Sequence, residues 1–178
     1  MRIWRRLEGA LQEWYENPRR VKGSGIQFEV SFERQLIRHG IFLSKKVGYE
    51  RYPNGSQKWP DFHIYDERTI LPIELKSTRK DWIHLGQTWI HSDALYLIHR
   101  TTIQRIDIMR GKDMKTEEDD IRFKEFQFQM KQFKSEWDRS KTFSSSVNWS
   151  TSVDIRYCIQ KEKQRNYFCS VLDDLRRL

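Results

Sequence analysis

This chain has little of what would mark it as exported, membrane-bound or disulfide-stapled. It has two cysteines in 178 residues, Cys158 and Cys169. Two thiols in a chain this long make no disulfide framework, and no Cys/His group has the spacing of a zinc site. The basic start, Met1-Arg2-Ile3-Trp4-Arg5-Arg6, is not followed by an apolar stretch, and no run approaches the length of a membrane span. These absences set the expectation of a cytoplasmic protein with reduced thiols. No internal repeat and no linker divides the chain, so one domain is expected over residues 1–178.

What is present is aromatic and basic. Apolar residues make up 37%, with 7 Trp, 7 Tyr and 10 Phe, enough aromatic area for a core. The formal net charge is +8. That favours an anionic partner, nucleic acid first and an acidic membrane surface second.

Periodicity predicts a helix over 2–17, with Ile3, Trp4, Leu7, Leu11, Trp14 and Tyr15 at helical steps, and a second from Ile26 to His39 capped by Gly40. A strand is predicted over 41–49. A hairpin follows, Pro60–Tyr65 with Ile70–Ser77, turning at Asp66-Glu67-Arg68-Thr69. Residues 81–91 read as a short helix, and Ala94–His99 and Ile103–Ile108 as strands. Residues 113–139 read as a long helix whose stripe of Phe123, Phe126, Met130, Phe133 and Trp137 is expected to be core. A serine-rich loop over 144–152, a strand over 153–159 and a terminal helix over 168–178 complete the pattern. The fold class is α/β or α+β, a mixed central sheet flanked by helices.

The chemistry lies in Trp59-Pro60-Asp61-Phe62-His63-Ile64-Tyr65 and Ile73-Glu74-Leu75-Lys76-Ser77. Side chains alternate along a strand. Phe62, Ile64, Ile73 and Leu75 then face the core, while Asp61, Glu74 and Lys76 share the other face. Charges placed there need pairing or a metal. Mg²⁺ takes oxygen ligands, commonly one or two carboxylates. Asp61 and Glu74 would supply them, with the Leu75 carbonyl as a further ligand. The ion would polarise a phosphate oxygen, and Lys76 would orient water or stabilise developing charge.

Pro60-Asp61, twelve intervening residues, then Glu74-Leu75-Lys76 resembles the PD-(D/E)xK nuclease superfamily. The helix beginning Gly25-Ile26-Gln27-Phe28-Glu29 is similar to the first core helix of that fold, which often adds an acidic residue to the metals. Glu29 fits that place, with Glu33 in reserve. The resemblance spans 25–108, which would be the catalytic core of a restriction-endonuclease-like fold. It leaves 1–20 as a helix whose Trp4, Leu7, Leu11 and Trp14 stripe is either core or a dimer interface, and 109–178 as a candidate DNA-recognition region.

The resemblance implies a type II restriction endonuclease: Mg²⁺-dependent hydrolysis of phosphodiesters in double-stranded DNA by a homodimer, with no organic cofactor and no membrane. A Holliday-junction resolvase or repair nuclease would use the same residues, and a non-catalytic basic DNA-binding protein is the alternative from another class. Such a binder would gain nothing from carboxylates beside phosphate.

Lys58, His63, Arg79, Lys80 and Asn148 are the candidate DNA contacts, with Lys45, Lys46 and Arg51 as further basic groups. Gln87 is weakly similar to a helix glutamine of some superfamily members. Taken singly, each of these residues also reads as ordinary surface, and Asp61 as a strand start. His84, His91 and His99 form no metal-ligand pair and read as ordinary polar residues, with DNA contact as the alternative.

Overall fold

The computed structural model describes residues 3–21, 23–55, 58–86, 89–140, 155–158 and 163–178. Two helices come first, α1 (Ile3–Glu16) and α2 (Ile26–Arg38). The strands β1 (Gly48–Arg51), β2 (Phe62–Tyr65), β3 (Ile70–Thr78), β4 (Trp82–Gly86), β5 (Leu95–Arg100) and β6 (Arg105–Arg110) follow. The rest is α3 (Gly111–Met114), α4 (Glu117–Ser140), β7 (Ile155–Cys158) and α5 (Gln164–Arg177).

The main sheet has the order β1-β2-β3-β5-β6. It is mixed: β3 and β5 run parallel, and the other neighbours pair antiparallel. The expected α+β architecture is therefore present. One face carries Phe62, Ile64, Ile73, Leu75, Leu97 and Ile108, packed in one apolar cluster with residues of α1, α2 and α5. The other face carries Tyr96, Ile98 and Met109, packed against Ile83, Leu85 and Tyr157 of a two-stranded sheet of β4 and β7. Full burial of one large apolar side chain contributes about 1.5–3 kcal/mol, so these two layers hold the sheet between them.

Local signals explain most boundaries. Gly40 ends α2 at φ 74, where a left-handed residue favours glycine. Its N–H donates to the Ile37 carbonyl and that of Ile41 to Leu36, the paired bonds of a Schellman cap. The β2–β3 hairpin turns at the expected residues, with Asp66 and Thr69 exchanging backbone bonds. The late strand is seen over Ile155–Cys158 and the last helix starts at Gln164.

Three expectations change, and one open alternative is decided. Residues 41–47 form no strand apart from a bridge of Leu43 to Tyr49, and pairing begins only at Gly48. Residues 82–86 are strand, not helix: Ile83 and Leu85 are buried while His84 between them is exposed, a period of two that outweighs helical propensity. Of the two readings open for the Trp4, Leu7, Leu11 and Trp14 stripe of α1, core or dimer interface, the first holds: the stripe is buried in the chain's own core.

The third change concerns α4. Its stripe is not core: Phe126 is 40% exposed and Phe133 58%. The helix is held near its start, where Trp89 stacks on Phe123 at 4.1 Å and also bonds Asp120, as does Lys115. The serine-rich loop with Asn148, and Gln87, lie outside the described residues.

Candidate active site

β3 is the element that assembles the site. Its length is nine residues, whereas β2 has four, so β3 runs on past the point where β2 begins. Phe62 pairs with Ile73, and one step further out Asp61 stands opposite Glu74. There the ladder would leave the Leu75 N–H without a strand partner. The Asp61 carboxylate takes that place, its Oδ2 accepting from Leu75 N at 2.7 Å. The proline-led approach to β2 thus puts a carboxylate where a backbone carbonyl would otherwise sit. In an extended strand the N–H and C=O of one residue leave on the same side, so the Leu75 carbonyl faces the same edge.

Alternation along β3 places Glu74 and Lys76 on one face, as expected. Lys76 Nζ lies 2.6 Å from Glu74 Oε1. Glu74 is buried, and its second oxygen, Oε2, is enclosed with no hydrogen-bond partner. Such an orphan is uncommon in folded proteins, because leaving a buried charged acceptor unmade costs upwards of about 1–3 kcal/mol.

The Asp61 carboxyl is pushed up from 3.8 to about 7. Burial is the largest cause and the Glu74 charge the second, while the Leu75 N–H and Lys76 pull the other way. The three side chains are two carboxyl groups and one ammonium group. Next to them Trp59, just ahead of Pro60-Asp61, stacks on His91 at 3.6 Å. His91 also feels the Glu74 charge, and burial lowers its pKa. No local motif marks His91. It reaches the site through the segment between β4 and β5, which the mistaken helix over 81–91 hid.

The expected third acidic group is engaged elsewhere. Glu29 pairs with Arg51 Nη2 at 3.0 Å and also binds the Tyr52 hydroxyl. Its charge reaches Asp61 only as the smallest of that group's influences. Glu33 pairs with Arg51 Nη1 at 3.3 Å and accepts from Tyr49 Oη at 2.8 Å. Arg51 is thus an internal counter-ion to both rather than a phosphate contact. Among the described residues no three Asp, Glu, His or Cys side chains converge to hold one ion.

The donor set on β2 and β3 is therefore two carboxylates with a backbone carbonyl at the same edge. That suits Mg²⁺, which binds through one or two carboxylates and keeps several waters. The orphaned Glu74 oxygen, beside a carboxyl that Glu74 and burial hold partly protonated, fits a divalent cation.

The candidate DNA contacts divide. Lys58, Arg79 and Lys80 are exposed, with Lys80 Nζ 4.5 Å over the Trp82 ring. His63 lies on the face of Asp61 but bonds Tyr65 Oη at 3.1 Å, in a chain that ends on Glu50. Lys45 pairs with that Glu50 at 2.8 Å, and Lys46 is exposed. His84 is exposed, and His99 is buried on the opposite face of the sheet. A cavity of about 1030 Å³ lies beside α1 and α2 among Arg20, Arg34 and Arg38, and none of the carboxylates lines it.

No helix among the described residues is long and apolar enough to cross a membrane. Comparison with known proteins finds no family model, no curated protein and no solved structure that matches the chain.

Proposed function

We propose that the chain is a Mg²⁺-dependent endonuclease acting on double-stranded DNA, a type II restriction enzyme of the PD-(D/E)xK kind. One observation carries the reading. Among the described residues Asp61 and Glu74 share a sheet edge with only Lys76 to offset them, and Glu74 keeps a buried oxygen without a partner. Asp61 and Glu74 would hold the ion, which when bound would neutralise charge on a phosphate and lower the pKa of water. Lys76, fixed beside Glu74, would donate to the scissile phosphate as its charge grows. The surplus of positive charge over the whole chain would draw the DNA in.

A symmetric dimer would supply two cuts. Its interface is assigned to α4 instead of α1. Phe126, Met130 and Phe133 follow the three-and-four spacing of a two-helix seam. Antiparallel packing of two copies about Met130 would set Lys124 of one against Glu136 of the other, a complementarity that favours a second copy as the occupant.

Digestion of plasmid and of synthetic four-way junctions, with Mg²⁺ or with EDTA, tests the activity. Discrete plasmid fragments only with Mg²⁺ support the restriction reading. Preference for the junction moves the substrate to resolution with the same residues. Absence of metal-dependent cleavage on both rejects the proposal.

A further inference from the structure

The parallel strands β3 and β5 end together, and beyond their C-terminal ends lies a second cavity of about 620 Å³. Side chains alternate along β3, so Ser77, which lines this cavity, faces away from Lys76. Asp61, Glu74 and Lys76 are not among its described lining residues, so the cavity is separate from the carboxylate site. Crevices at such strand ends are where open α/β sheets take ligands.

Its lining has one chemical character. Arg19, from the turn after α1, and Arg79, from the turn after β3, both border it, along with the hydroxyls of Ser24, Ser77 and Thr101. No acidic side chain is among its described lining residues. Among the described residues neither guanidinium has an ion-pair partner.

Two further features border the cavity. The first turn of α2 borders the cavity through Gln27, and this helix starts at Gly25, which offers no capping side chain. The Gly25 N–H goes to Ser77 Oγ at 3.3 Å, while those of Ile26 and Gln27 precede any helical acceptor. Free N–H groups at a helix start favour an anion.

The other feature is His99, which is 1% exposed and lines the cavity. Its Nδ1 sits 2.9 Å from the Gly23 carbonyl, which can only accept, so the proton is on Nδ1. Nε2 is left buried without a partner. That nitrogen can accept from a P–OH group or, once protonated, donate to a phosphate oxygen.

We infer that this cavity is a phosphate-binding site, formed by Arg19, Arg79, Ser77, His99 and the first turn of α2. The group it takes is a tetrahedral oxyanion, either carried on a nucleic-acid strand or on a small phosphorylated molecule. The inference needs neither the metal nor cleavage.

Inorganic phosphate, titrated calorimetrically into the full chain in EDTA against chloride of equal ionic strength, tests it. The expected result is saturable binding that chloride does not reproduce. The double variant Arg19→Gln/Arg79→Gln should bind at least about tenfold more weakly, the loss of two charge-assisted bonds, while its melting temperature without phosphate stays that of wild type. A 5′-phosphorylated oligonucleotide that displaces inorganic phosphate better than its 5′-hydroxyl counterpart assigns the group to a strand end. Displacement by both equally assigns it to internal phosphodiesters, and displacement by neither assigns it to a small molecule. Absence of saturable phosphate binding, or equal binding by the double variant, overturns the site and leaves the nuclease proposal untouched.

Discussion

The same face of one sheet encloses acidic groups in two places, and the two are balanced differently. Asp107 on β6 is fully buried, and burial raises its pKa. Arg105 Nε lies 2.9 Å from it and Arg100 Nη1 3.8 Å away, both drawing that pKa back down. Arg100 also pairs with Asp81, so two acids meet two guanidinia. Asp61 and Glu74, two strands away, meet only Lys76 among the described residues, and the Glu74 charge discourages ionisation of Asp61. Two guanidinia offset the Asp107 charge within the fold, although its oxygens, like Glu74 Oε2, lack a well-aligned hydrogen bond. An unbalanced pair of carboxylates calls for a cation from outside. The contrast separates a structural ion cluster from a site.

The largest effect that would sharpen this contrast is on chemistry. Asp61→Ala and Lys76→Ala should each lower DNA cleavage by at least about a thousandfold, with binding measured in Ca²⁺ changed only a few-fold. Asp107→Asn should leave the chemical step of the remaining folded protein intact. Equal loss of binding and cleavage in Asp61→Ala would make that residue structural.

Stability should respond in the opposite order. Asp107→Asn strips a buried partner from Arg100 and Arg105, and chemical denaturation should show a loss of about 3 kcal/mol. Asp61→Asn removes a repelled charge and should melt no lower than wild type in EDTA. If both variants lost stability alike, the two clusters would not differ in kind.

A smaller effect follows from pH. The folded Asp61 binds its proton more tightly than the unfolded chain does, at about 7 against 3.8. Its ionised form therefore costs nothing below about pH 4, the cost accumulates as pH rises towards 7, and it is complete above that. Melting of the metal-free wild type relative to Asp61→Asn should fall across this window. Stabilisation by Mg²⁺ should grow over the same range, because the ion competes with that proton. A metal-induced shift equal at pH 5 and pH 8 would contradict it.

The smallest effect on folding belongs to α4. Phe126→Glu with Phe133→Glu should change chain stability by less than about 0.5 kcal/mol, as for other exposed sites, whereas Trp14→Ala should cost about 3–5 kcal/mol. Sedimentation should show the Phe variant as a monomer and the wild type as a dimer. A wild type that sediments as a monomer would remove α4 as the interface.

These two helices also show what the sequence discloses. Both α1 and α4 carry aromatic residues at helical spacing, yet one stripe is core and the other faces solvent. Periodicity reports an amphipathic helix and is silent on what covers it. Where pattern and chemistry agree, as in Pro60-Asp61 and Glu74-Leu75-Lys76, the alternation along β3 and the hairpin register were legible, and with them the shared face. Gly40 was legible because its position demands a left-handed backbone.

The rest depended on contacts distant in sequence. Nothing local tells Glu29 that Arg51 will claim it, or brings His91 onto Trp59. The strand β4 was misread although Ile83 and Leu85 alternate with His84, because its partner β7 lies some seventy residues on, across a pairing that periodicity does not report.

The most direct test of the account is a titration of Mn²⁺, a spectroscopic stand-in for Mg²⁺, into wild type and Glu74→Gln at pH 8, followed by electron paramagnetic resonance. The account predicts saturable binding by the wild type, displaced by excess Mg²⁺ and lost in Glu74→Gln while the variant's fold is retained. Equal binding by both proteins, or none by the wild type, would show that Asp61 and Glu74 are not a cation site.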